Sequence, residues 1–128
     1  MKQAISTSNA PAALGPYSQA VQVGSMLFLS GQVPIDPATG SVVEGGIQEQ
    51  STQSLKNVKA IVEAAGCTLA DVVKTTVLLK NISDFAPMNE IYGTFFTGDC
   101  PARAAFAVAD IPKGALVEIE AVVYTGNK

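Results

Sequence analysis

Histidine and tryptophan are missing from this 128-residue chain, and arginine occurs once, at Arg103. Without histidine there is no Ser-His-Asp or Cys-His nucleophile and no imidazole to ligate a metal. The two cysteines, Cys67 and Cys100, lie far apart and are too few for a disulfide framework or a cysteine zinc site. Charge is scarce as well, 15% of residues against roughly 25% in an average soluble chain. Eight cations against eleven acids leave a net charge of −3, which argues against a general attraction to nucleic acid phosphates. No apolar run approaches the ~20 residues of a transmembrane helix. The opening Met1-Lys2-Gln3-Ala4-Ile5 lacks the apolar stretch of a secretory signal. These shortages predict a cytoplasmic, reduced protein.

Hydrophobic residues, by contrast, make up 48%. The length suits one domain with one core, residues 1–128. So apolar a chain has little charge to spread over a monomer, which hints at burial between subunits. Short strands are expected at Lys2–Ile5, Ser18–Val23 and Met26–Ser30, the last two joined by the turn signal Gly24-Ser25. Pro34 to Gly40 is dense in turn formers and reads as a surface loop. From about Gly46 to Ala65, Leu55, Val58, Ile61 and Ala65 recur at helical spacing, and Gly66 is a natural stop. Val72–Leu79 reads as a strand, completing a βαβ unit. Ser83 is placed to cap a second helix reaching about Phe96, with Phe85, Met88 and Tyr92 on its inner stripe and Pro87 tolerated in its first turns. Ala102–Val108 and Leu116–Tyr124 are the last strands, with a loop over Asp110–Gly114 between them. The predicted fold is α+β, a mixed sheet with two helices on one face. The other face then needs a cover that this chain does not supply, and oligomerisation is the simplest one.

Two residues break the local pattern. Glu120 sits in the apolar strand Leu116–Tyr124, where alternation puts it on one face with Glu118. Either that face meets solvent, or the carboxylate is held in a cleft as a general base tuned by partial burial. Arg103 has small and apolar neighbours and no acidic partner nearby in sequence. Its fork of donors matches a carboxylate two bonds at a time. It is either half of a structural ion pair with Glu118 or Glu120, or a clamp for a ligand's carboxylate. Gly31 sits just where the predicted strand Met26–Ser30 ends, as a turn glycine or as a place where a ligand approaches the backbone. Tyr17, after Gly15-Pro16, is a core-packing aromatic or a hydroxyl lining a pocket.

The chain resembles the YjgF-type Rid proteins, the reactive intermediate deaminases. The resemblance is carried by Asn9-Ala10-Pro11-Ala12-Ala13-Leu14-Gly15-Pro16-Tyr17-Ser18-Gln19 and by Ser30-Gly31-Gln32-Val33-Pro34. It continues through Gln53–Val58, Val73–Val77 and Phe85–Tyr92, then Pro101-Ala102-Arg103-Ala104 and Val117-Glu118-Ile119-Glu120-Ala121. These blocks span nearly the whole chain.

The resemblance implies a chorismate-mutase-like domain assembled as a homotrimer with a barrel-like centre and ligand sites between subunits. It implies that Arg103 binds the substrate carboxylate and that Glu120, in the final Glu-Ile-Glu-Ala motif, positions a water. Tyr17, Ser30, Gly31 and Asn89 are implied to line the pocket. Many relatives have cysteine where this chain has Ala105, whose backbone amide can still donate to a carboxylate. Phe106 and Ala107 also depart from the commoner valine and glutamate. The implied reaction is hydrolysis of short 2-imino acids and their enamines, 2-aminoacrylate, 2-iminopropanoate and 2-iminobutanoate, to 2-oxo acids and ammonia. These are the reactive products of PLP enzymes that dehydrate serine or threonine, and their removal spares other PLP enzymes. The chemistry calls for no metal or cofactor. Two rival readings are a ribonuclease or translation inhibitor, and a non-enzymatic module binding small carboxylates. The acidic balance and the few aromatics, 6% of residues, weigh against the first.

Overall fold

Apolar residues at every second position mark the strands, and at every third or fourth the helices. The computed structural model describes residues Met1–Lys128. In chain order the elements are β1 (Gln3–Ile5), β2 (Ala20–Val23), β3 (Met26–Gln32), β4 (Ile35–Asp36), β5 (Ser41–Val42), α1 (Ile47–Ala64), β6 (Val72–Leu79), α2 (Phe85–Phe95), β7 (Ala102–Ala107) and β8 (Val117–Tyr124). Six strands form one sheet in the order β1-β2-β3-β8-β6-β7, and β4 and β5 form a separate hairpin. Only the β6–β7 pair is parallel, so the sheet is mixed, as expected. Since β3 and β6 both run antiparallel to β8, α1 connects two parallel strands with β8 inserted between them.

Alternation along β8 sorts the two faces. Val117, Ile119, Ala121 and Val123 are buried, whereas Glu118, Glu120, Val122 and Tyr124 point the other way. The buried set meets Leu55, Val58, Ile61 and Val62 of α1, none of which is exposed. Each such side chain stabilises the fold by about 1.5–3 kcal/mol relative to exposure. The second helix adds Met88 and Tyr92 to the same core, with Phe96 just beyond its end. Gly66 stops α1 in the left-handed region, at φ +83°.

Three local expectations are corrected. The Pro34–Gly40 segment is no plain loop but supplies β4 and the turn into β5. The hairpin is tied to α1 by Asn57, whose Nδ2 donates to the carbonyls of Ile35 at 2.9 Å and Val33 at 3.2 Å. Ser83 caps nothing. It lies inside a short 3₁₀ turn, Ile82–Asp84, and Asp84 is the N-cap of α2 without a side-chain cap bond. Finally, β3 does not end at Ser30. It runs on to Gln32, which pairs with Ile119 past a bulge at Ser30–Gly31.

The second sheet face has no helix over it. Val23, Phe28, Phe106 and Tyr124 stand on it at 42–48% exposure, with Met26 and Val122 half-buried between them. These side chains leave the second face with apolar surface that no element of this chain covers.

Candidate functional site: two half-sites on opposite faces of one sheet

The first half-site is a cavity of about 360 Å³ beside the β3 bulge, lined by residues including Tyr17, Ser30, Gly31, Lys113 and Glu118. Its rim is held from below by Gln19, which is 4% exposed. The Gln19 Nε2 donates to the carbonyls of Pro11 at 2.8 Å and Thr7 at 3.0 Å, while Oε1 accepts from Thr7 N–H at 2.7 Å. One buried amide thus fixes the segment that presents Tyr17. The Ser30 hydroxyl donates to the Ser18 carbonyl at 2.6 Å, tying β3 to the same segment.

Glu118 is half-buried here, and its carboxylate packs on the backbone of Gly31, where a Cβ would collide with it. Burial first, and the charge of Glu120 second, push its carboxyl above the usual carboxylate range. Glu120 lies elsewhere. It is exposed and borders a separate concavity with Phe28, Lys74, Thr76 and Val122. The sequence pattern singled out Glu120, yet the carboxylate beside Tyr17, Ser30 and Gly31 is Glu118.

The second half-site surrounds Arg103 on β7. Arg103 pairs with Thr75 of β6, which pairs with Ala121 of β8, so it projects from the helix-bearing face. The expectation that neighbouring strands bring Arg103 to Glu118 or Glu120 fails because β6 intervenes and the glutamates point from the opposite face. No ion pair forms between them; the chain's one ion pair joins Lys80 to Asp110. Instead, Arg103 Nη1 donates to Asn89 Oδ1 at 2.7 Å. Its guanidinium lies 4.7 Å from the ring centre of Tyr92 and 5.4 Å from that of Phe85. The Tyr92 hydroxyl is itself bonded to Thr75 Oγ1 at 2.7 Å. The fork is therefore oriented on three sides, with its other donors uncommitted.

Ala105 shares Arg103's face. The Val108 N–H donates to the Leu79 carbonyl, and alternation along β7 turns the amides of Arg103 and Ala105 to the open sheet edge. An uncommitted guanidinium and an open edge amide thus lie side by side. They suit a carboxylate.

A protein-family model described as Endoribonuclease L-PSP matches residues 7–125. The chain belongs to this L-PSP family, which includes the YjgF/RidA proteins. It is similar to the mouse protein named 2-iminobutanoate/2-iminopropanoate deaminase, at 54% identity over 98% of this chain and 93% of that one. Among solved structures it is similar to the YjgF gene product of E. coli, with a TM-score of 0.92 and 50% identity over 95% of this chain and 98% of that one. It is also similar to E. coli TdcF with bound serine, with a TM-score of 0.91 and 45% identity over the same shares.

In this L-PSP chain, motif reading brings Tyr17, Ser30 and Gly31 into one half-site and Arg103, Asn89 and Ala105 into the other. It missed Glu118 as the cavity carboxylate and Lys113 as a wall. The collision at Gly31 was the available signal, but it becomes visible only once β3 and β8 are in register. Gly31→Ala is expected to displace the Glu118 carboxylate, since the atoms in the way are the movable end of a side chain. Thermal unfolding should then shift by only a few degrees, while turnover of a carboxylate-dependent reaction falls by about ten-fold or more. Unchanged turnover in Gly31→Ala would separate Glu118 from the chemistry.

Proposed function

We propose that this protein hydrolyses short 2-imino acids to 2-oxo acids and ammonia, in sites completed between subunits of a homotrimer. One observation carries the reading: a carboxylate with raised proton affinity and an uncommitted guanidinium stand on opposite faces of one sheet. Within a chain they cannot share a ligand, but β7 of one copy can close over the Glu118 cavity of the next. The uncovered apolar face, with Phe28, Phe106 and Tyr124, is the surface such an assembly buries, at a barrel-like centre. The deaminase name of the mouse relative and the serine in TdcF support a small amino-acid-like ligand.

Arg103 and the Ala105 amide bind the C1 carboxylate, and Asn89 keeps the guanidinium aimed. Glu118, rather than Glu120, takes a proton from water as the oxygen attacks the imine carbon. Attack on the protonated imine gives a neutral carbinolamine. Glu118 returns its proton to the nitrogen, the C–N bond breaks as the hydroxyl oxygen forms the new C=O, and the hydroxyl proton leaves with the ammonia as ammonium. The products are a 2-oxo acid and ammonia, with no net redox change. Tyr17, Ser30 and Gly31 shape the cavity around the reacting carbon. The substrates in this reading are the imines and enamines that PLP enzymes release on dehydrating serine or threonine.

Assay with 2-iminobutanoate, generated in situ by a threonine dehydratase, tests it. Glu118→Gln is expected to lower kcat by about 10²–10⁴-fold. Glu120→Gln should retain most of the activity and move the acid limb of the pH profile to lower pH. The sign follows from the cause: removing the Glu120 charge lowers the proton affinity of Glu118, so the basic form persists further into acid. An inactive Glu120→Gln beside an active Glu118→Gln would reverse the two assignments.

A further inference from the structure

Lys113 is the one cation among the residues lining the Glu118 cavity, and it has no carboxylate partner within the chain. It is held there by a loop anchored at both ends. Asp110 accepts from Lys80 Nζ and from the Ile111 N–H, each at 2.9 Å. Ile111 and Ala115 are buried, and the Leu116 N–H donates to Gln50 Oε1 at 2.8 Å. Between these anchors Lys113 adopts φ 62°, ψ 21°. It is the only non-glycine residue with positive φ, in a region that disfavours L side chains. Glycine would fit this position with less strain. Lys113 is exposed, and a side chain held in this sparsely populated conformation at a cavity wall is a candidate for a functional role.

The cavity of one chain, about 360 Å³, is open on the side that β7 of a neighbouring copy would close, and Lys113 stands on its own wall rather than on the closing strand. Pro11, Leu14 and Val33 give it an apolar wall suited to the methylenes of a longer side chain. We propose that Lys113 reads the far end of the substrate side chain, pairing with a second carboxylate, so that the site accepts dicarboxylic 2-imino acids. This inference rests on the deaminase reading. Arg103 holds the C1 carboxylate, Glu118 serves C2, and the ammonium answers the distal charge.

The test compares two imines of equal chain length, 2-iminoglutarate and 2-iminopentanoate, generated in situ by amino-acid oxidases from glutamate and norvaline with catalase present. The measurement is the ratio of their kcat/KM values. Lys113→Met is expected to lower the dicarboxylate-to-monocarboxylate ratio by about ten-fold or more, and Lys113→Arg to hold it within about three-fold. Lys113→Gly removes the charge while relieving the backbone, and should lower the ratio as Lys113→Met does. Equal losses on both imines, or a ratio indifferent to residue 113, overturn the inference and leave the deaminase reading standing. A wild-type protein that hydrolyses 2-iminobutanoate but neither five-carbon imine overturns this inference alone, and one inactive on all three overturns the deaminase reading with it.

Discussion

Replacing Arg103 by alanine is expected to lower kcat/KM for 2-iminobutanoate by about two to three orders of magnitude without unfolding the protein. The size follows from what is removed: losing one partner of a desolvated, hydrogen-bonded charge pair costs about 2–5 kcal/mol. The fold should tolerate the change because Arg103 belongs to no ion pair. Its contacts are one hydrogen bond to exposed Asn89 and two ring contacts, each cation–π contact contributing about 0.5–1 kcal/mol at such a site. Arg103→Lys keeps the charge but not the fork, so it should recover only part of the loss. Unaltered 2-oxobutanoate release from Arg103→Ala would sink the mechanism. RNA cleavage that survives rigorous purification and disappears with the same substitution would favour the endoribonuclease activity in the family's description.

The strands and helices were readable because their periods are local. Val117–Tyr124 alternates so regularly that its two faces could be sorted by inspection, and the α1 stripe from Leu55 to Ala65 needed only the spacing of its apolar residues. Strand adjacency was another matter. Arg103 and Glu120 belong to strands that follow one another in sequence, which suggested a pair, but the parallel βαβ connection through α2 places β6 between them. The choice between Glu118 and Glu120 was hidden for a similar reason. Both occupy the same face by parity, and what separates them is the bulge in β3 that brings Gly31 under one carboxylate and not the other. Lys113 escaped notice because a Pro-Lys-Gly turn looks like any surface loop until its backbone angles and its cavity are known. Motif resemblance named Tyr17, Ser30, Gly31, Asn89, Arg103 and Ala105, but only the sheet geometry divides them into two half-sites.

That division yields the sharpest expected result. Arg103→Ala and Glu118→Gln, each nearly inactive alone, are expected to regain activity when mixed, unfolded together and refolded. In a trimer whose sites each take the guanidinium from one subunit and the carboxylate from its neighbour, random mixing pairs an intact Arg103 with an intact Glu118 at about one interface in four. Activity should therefore return to roughly a quarter of the wild-type level, far above either parent. A site built within one chain cannot be rescued this way, because every copy carries one of the two lesions. The uncovered face supplies the control. Phe28→Glu sets a charge among Val122, Met26 and Tyr124 on a surface already bearing Glu118 and Glu120. Burial of an unpaired charge should block assembly, leaving a folded monomer by sedimentation that has lost turnover although Arg103 and Glu118 are both intact. A monomeric Phe28→Glu protein with full turnover, or a refolded mixture no more active than its parents, would return the site to a single chain. The opposed faces of the sheet would then have no part in the chemistry.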